Sequence, residues 1–236
     1  KNIIYYTPMI DILFKMFLGI ILTDQLLIQK YVIIKARYFA LHFLFNMWVI
    51  KSVYPGAIFI FNNPLMNYID DDNFIKSGQI STGGIIIFHF YHTCINYRNL
   101  NFEDWVHHVV SCFMVGYIGI SCPIGIVLNW VNLIMCGIPG GIDYLLLLLM
   151  KYEIIFKQTE KRINRWLNLL IRMPGMFFGG YIWYLNIWEI YSFGMSTFVL
   201  ITLGVFLQIM NSIYYCDKVV GNYYTTLTDL KKKRLK

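Results

Sequence analysis

The chain has 236 residues, of which 58% are hydrophobic and only 14% charged, with a formal net charge of +7. A soluble domain carries about 25% charged residues, so this composition excludes an ordinary water-soluble protein and points to an integral membrane protein. The mean hydropathy of +0.55 agrees, and the length suits one helical bundle.

A bilayer core of roughly 30 Å needs about 20 apolar residues per helix. Seven stretches qualify: 8–28, 37–54, 80–97, 104–120, 124–150, 163–188 and 194–216. The first is the weakest, because Asp11, Lys15 and Asp24 interrupt it. The second is expected to stop at Tyr54, Pro55 and Gly56, since proline cannot continue the backbone ladder. "AIFIFNNPLM" after it then reads as a short interfacial or re-entrant piece. The third carries His89 and His92, and the fourth opens on "FEDWVHHVVS" with His107 and His108 adjacent. The fifth and sixth are interrupted by "IPGG" and "MPG". Such breaks free backbone carbonyls and let neighbouring helices or lipid come close. The seventh leads into the tail "KKKRLK". Five cysteines without a CxxC pattern read as buried, reduced thiols.

Charge sorts the connections. Alternate loops and the tail hold fifteen basic residues, among them Lys35, Arg98, Lys157 and Lys232, against Lys1 and Lys76 on the other side. Cytoplasmic loops are the ones enriched in Lys and Arg. Seven spans therefore put the start of the chain outside and the tail in the cytosol. The tail reads either as a dilysine-type retrieval signal of the endoplasmic reticulum or as a basic segment near anionic lipid. Nothing in this charge calls for nucleic acid.

Ionisable groups at membrane depth are costly, so they turn inward and mark functional sites. Helical spacing groups them: Tyr38, His42 and Asn46; His89, His92 and Asn96; Asp104, His107 and His108; Asn129, Asn132, Cys136 and Asp143; Arg165, Asn168 and Arg172. All five histidines, Asp143 and Arg172 lie in the half of their segments toward the basic end. The expectation is a cytosol-facing polar cavity lined by histidine, over an apolar floor. Asp143 and Arg172 lie at matched depth and are expected to pair. Asn129 and Asn132 read either as ligand contacts or as ordinary hydrogen bonds between helices. The two histidine pairs look superficially like the histidine boxes of membrane desaturases, but five histidines are too few for two irons. No metal or bound cofactor is expected.

"FEDWVHHVVS", followed about thirty residues later by "DYLLLLLMKY" (Asp143 to Tyr152), resembles the TLC-domain family, which includes ceramide synthases. "RYFALHFLFNMWV" and "HFYHTCINYRN" fit its earlier helices, so the resemblance covers roughly residues 36–216. It implies an all-α polytopic membrane bundle. A preceding helix (1–35) leads into a six-helix core (36–216) and a basic tail (217–236). It also implies acyl transfer from acyl-CoA, as co-substrate, to a sphingoid-type amine. His107, His108 and Asp143 would be catalytic. His42, His89, His92, Asn129, Asn132 and Arg172 would bind substrate, with Arg172 toward an anionic head group. The expected setting is the endoplasmic reticulum and the expected partners are membrane lipids. The family's second His-Asp pair is replaced here by Pro139 and Gly140. That departure keeps a rival open: a lipid sensor, carrier or regulator of membrane composition without catalysis.

Overall fold

Seven long helical rods follow one another in the computed structural model, which describes residues 6–67 and 72–234, and no strand occurs among those residues. They are α1 (6–31), α2 (Arg37–Asn62), α3 (Asp72–Asn96), α4 (102–121), α5 (127–151), α6 (157–185) and α7 (Met195–Arg234). A short helix, Ile187–Ser192, links α6 to α7. Three helices are long and apolar enough to cross a membrane: Ile34–Asn62, Val127–Lys151 and Met195–Leu230.

Contacts between connections show that the rods alternate in direction. At one end Ile33 N donates to Tyr152 Oη at 3.3 Å, Lys218 pairs with Glu103, and the Arg165 guanidinium lies 4.3 Å from the Tyr223 ring centre. At the other end Asn67 Nδ2 donates to Ile124 O at 2.8 Å, and Asn186 Nδ2 donates to Pro64 O at 3.0 Å. The basic connections thus gather at one end of the bundle. The centre is packed by Val49, Val53, Ile60, Leu133 and Ile182, all essentially without exposure. Outside, large apolar side chains face away from the protein, as in the α1 stripe Ile10, Phe14, Leu18 and Leu22.

The expected stop at Pro55 is not found. α2 runs through the proline to Asn62, so "AIFIFN" is its last turns and not a re-entrant piece. A proline inside a helix costs about 3 kcal/mol. Val53 and Ile60, on either side of it, are both fully buried, and each such burial contributes about 1.5–3 kcal/mol. Packing therefore outweighs the missing N–H. The basic tail likewise continues α7 without a break as far as Arg234.

Four of the rods contain π-helical segments among the described residues: Thr23–Ile28, His107–Met114, Leu133–Gly137 and Asn168–Arg172. Two of them run directly into the Pro/Gly motifs. Ile138 N bonds back to Leu133 O and Met173 N to Asn168 O, each one residue further than in an α-helix, and Pro139 and Pro174 follow at once. The sequence breaks are thus register changes inside continuous helices.

Candidate functional site

The site begins with how α4 starts. Asn101 Oδ1 accepts from Asp104 N at 2.9 Å, and Asp104 Oδ2 accepts from Asn101 N at 3.1 Å, a reciprocal cap. Glu103 is tied to Lys218 on α7. The two acids before the double histidine therefore anchor the helix start. The wider π turn that begins at His107 then brings His107 and His108 toward one face, with His108 buried.

All five histidines converge. Ring centres lie 5.2 Å apart for His42 and His92, 5.3 Å for His92 and His108, 5.3 Å for His89 and His108, and 5.5 Å for His107 and His108. Their tautomers follow from their partners. His42 Nδ1–H donates to Tyr38 O at 2.9 Å, and His108 Nδ1–H donates to Asp104 O at 2.6 Å. A carbonyl only accepts, so both rings hold the proton at Nδ1 and present Nε2 as an acceptor. Neither Nε2 has a partner in the protein. His92 has the reverse arrangement, because Asn96 Nδ2 donates to its Nδ1 at 3.0 Å. Asymmetric backbone anchoring of this kind fixes which nitrogen can act as a base.

A second array lies across the cavity. Arg172 Nη1 donates to Asn168 Oδ1 at 2.8 Å, Asn168 Nδ2 to Asn164 Oδ1 at 2.8 Å, and Asn164 Nδ2 to Asp143 Oδ1 at 2.6 Å. The matched depth and direct ion pair expected from the sequence are not found: Arg172 lies about two turns further along α6 than Asn164, and it reaches Asp143 only through two amides. The carboxylate of Asp143 faces Asn164 and makes no hydrogen bond to a histidine. Asn164 is buried, and Asn168 and Glu160 are wholly buried.

The histidines and the two ends of this array, Asp143 and Arg172, line one cavity of about 560 Å³, within the roughly 300–1,000 Å³ usual for ligand sites. The five histidines, Asp104, Asp143 and Arg172 line its polar half. The other half runs past Met176, Gly179 and Gly204 to Trp183, Ile190 and Ile201 and is largely apolar. No three His, Cys, Asp or Glu side chains among the described residues converge closely enough to hold a metal. Comparison of the chain with protein-family models, curated proteins and solved structures finds no match.

Of the residues expected to form the site, Asn129 alone is outside the cavity. Its amide accepts from Ser77 Oγ at 2.7 Å and donates to Phe74 O at 2.8 Å, in a slot opened by Gly56 and Gly78. Asn132 lines the cavity while its Nδ2 holds Thr82 Oγ1 at 2.9 Å. Gly140 also finds an explanation. A Cβ on Gly140 would come within 2.8 Å of Asn46 Nδ2, so the Asn46 amide takes the space a longer side chain would need. Sequence reasoning missed Asn164 and Glu160. The spacing Asn164, Asn168, Arg172 (i, i+4, i+8) was there to be read, but Arg165 drew the grouping one residue out of phase. Arg165 in fact stacks outward on Trp166 and Tyr223.

Proposed function

We propose that this chain is a multi-pass membrane protein of TLC type that takes an acyl chain into its cavity and transfers the acyl group from acyl-CoA to a lipid amine. One observation carries the reading: His108 Nε2 is an unpartnered acceptor, fixed by its own backbone, in a cavity that continues into an apolar slot. The amine attacks the thioester carbonyl carbon, and His108 Nε2 takes the proton the amine gives up. The C–N bond forms as the C–S bond breaks, and the proton passes to the departing thiolate. His107 and His42 complete the imidazole wall around the reacting atoms. All seven rods cross the bilayer of the endoplasmic reticulum, with the basic end and the tail in the cytosol. The double histidine, the distribution of charge and the apolar exterior support this placement.

A second reading has its own support. Asp143 is already committed to Asn164, and Asn46 fills the place beside Gly140, so neither position supplies an acid side chain bonded to an imidazole. A lipid sensor or carrier needs none. The deciding experiment incubates the purified protein with palmitoyl-CoA and a sphingoid base and follows products by mass spectrometry. N-acylated product that falls about 10²–10⁴-fold in His108→Ala is expected, the usual range for losing a general base. Copurified lipid without product would leave the carrier reading.

A further inference from the structure

We infer that Arg172 is a carboxylate site and that the cavity binds free long-chain fatty acids, carboxyl group at Arg172 and chain toward Trp183. The inference rests on reading the cavity as an acyl-chain site and names the ligand that the site takes.

Arg172 lines the cavity, and its Nε–H is shielded from solvent with no acceptor in the protein. Its Nη1 is held by Asn168, which is itself gripped by Asn164. The guanidinium is therefore pinned from one side and offers donors on the other. A buried donor without a partner is unfavourable, so a ligand oxygen completes it, and a guanidinium edge matches a carboxylate in charge and shape. Asp143, at the far end of the amide chain, balances the charge without occupying the fork. That arrangement tolerates an arginine at membrane depth and leaves it free to bind.

Position identifies the anion. Asn164 is level with Asp143, and Arg172 lies eight residues further along α6, about 12 Å deeper at 1.5 Å per residue. A nucleotide head group held among the basic connections is too far away to be the partner. From Arg172 to Trp183 the helix rises a further ~16 Å, past Met176 and Gly179, all lining the cavity. That is room for the apolar part of a long-chain acid.

The test uses the full-length protein in nanodiscs and a photoreactive diazirine fatty acid, with palmitate or hexadecanol as competitor. Palmitate should block labelling of α6 and α7 at concentrations about tenfold or more below those of hexadecanol, as a charge-assisted hydrogen bond requires. Arg172→Gln should remove that preference and leave hexadecanol unchanged, while Arg172→Lys keeps part of it. Equal competition by acid and alcohol in the wild type, or an unchanged preference in Arg172→Gln, overturns the carboxylate site. Loss of both competitors in Arg172→Gln also overturns it, because Arg172 would then be packing and not binding. Acyl transfer is read separately in the same preparation: fatty-acid binding without product sinks the enzymatic reading and leaves this site standing. Absence of any competable labelling overturns both.

Discussion

Single atoms decide several positions in this bundle, and glycines show it most plainly. A Cβ on Gly56 would lie 2.8 Å from both Cγ and Nδ2 of Asn129, a side chain with no exposure and hydrogen bonds on both ends of its amide. Asn129 cannot yield without losing those bonds. Gly56→Ala is therefore expected to destabilise by about 1–3 kcal/mol, the usual cost of overpacking a filled core. Gly221, on the exposed part of α7, has nothing within 4 Å of where its Cβ would be. Gly221→Ala should stabilise by about 0.5–1 kcal/mol through backbone entropy alone. Thermal unfolding in detergent reads both, and a lower Tm for Gly221→Ala or an unchanged one for Gly56→Ala would refute the packing argument. At this scale much of the candidate site was legible. Buried histidines and a lone arginine are expensive in a membrane, so their mere presence marked the cavity. The roles of Asn129 and Asn164 were not legible, because an asparagine donates and accepts equally well in a slot or at a site. Only the neighbours, Gly56 and Gly78 in one case and Asp143 in the other, separate the two.

At the scale of elements, each hydropathic stretch falls on a helical rod, of which three are long and apolar enough to cross a membrane among the described residues, but hydropathy misjudged what interrupts them. Asp11, Lys15 and Asp24 make α1 look like a poor membrane helix. Asp11 and Lys15 pair with each other on the outside at 2.6 Å. Asp24 does something else: it is wholly buried, accepts from Arg37 Nε at 2.8 Å and from Tyr91 Oη at 2.5 Å, and so bolts α1 to α2 and α3. The π segment Thr23–Ile28 turns it inward. No periodicity count finds such a residue, because its partners are 13 and 67 positions away. Removing one partner of a fully buried ion pair costs about 3–5 kcal/mol, and less is expected here because Arg37 is partly exposed. Asp24→Asn keeps the shape and loses the charge, leaving Arg37 uncompensated. Hydrogen exchange should then rise throughout residues 6–31 while α3 and α5 keep their protection. Uniform loss of protection across all rods would mean that α1 belongs to one cooperative core with the rest. The π segments in α4, α5 and α6 were equally invisible in the sequence as such. The prolines of α5 and α6 read as breaks, whereas a register shift followed at once by Pro139 or Pro174 lets each of those helices continue and re-aims the residues just before it toward the cavity.

For the whole molecule the distribution of polarity is the reverse of a soluble protein. Asp24, His42, Asn46, His92, Asn164 and Glu160 are inside, while Phe14, Leu18, Phe177 and Trp188 are outside. An interior of this kind with such an exterior is stable only where lipid covers the outside, because polar groups then have partners within the bundle and apolar ones do not meet water. The ends differ as well. Contacts such as Lys218 with Glu103 and Arg165 with Tyr224 gather the basic connections and the α7 extension at the end where the histidine half of the cavity lies. If the basic end is cytosolic, as proposed from the bias of Lys and Arg, the histidines face the compartment that holds acyl-CoA, and the connection held by Asn67 and Pro64 faces the other side. Single cysteines in a background without the native five test this directly. Asp229→Cys should react with a membrane-impermeant maleimide in sealed microsomes, and Leu65→Cys, an exposed position at the other end, only after the membrane is permeabilised. The opposite pattern would turn the cavity toward the lumen and remove acyl-CoA as a substrate. It would leave the carboxylate site at Arg172 intact, since fatty acids reach a cavity from either face of a bilayer.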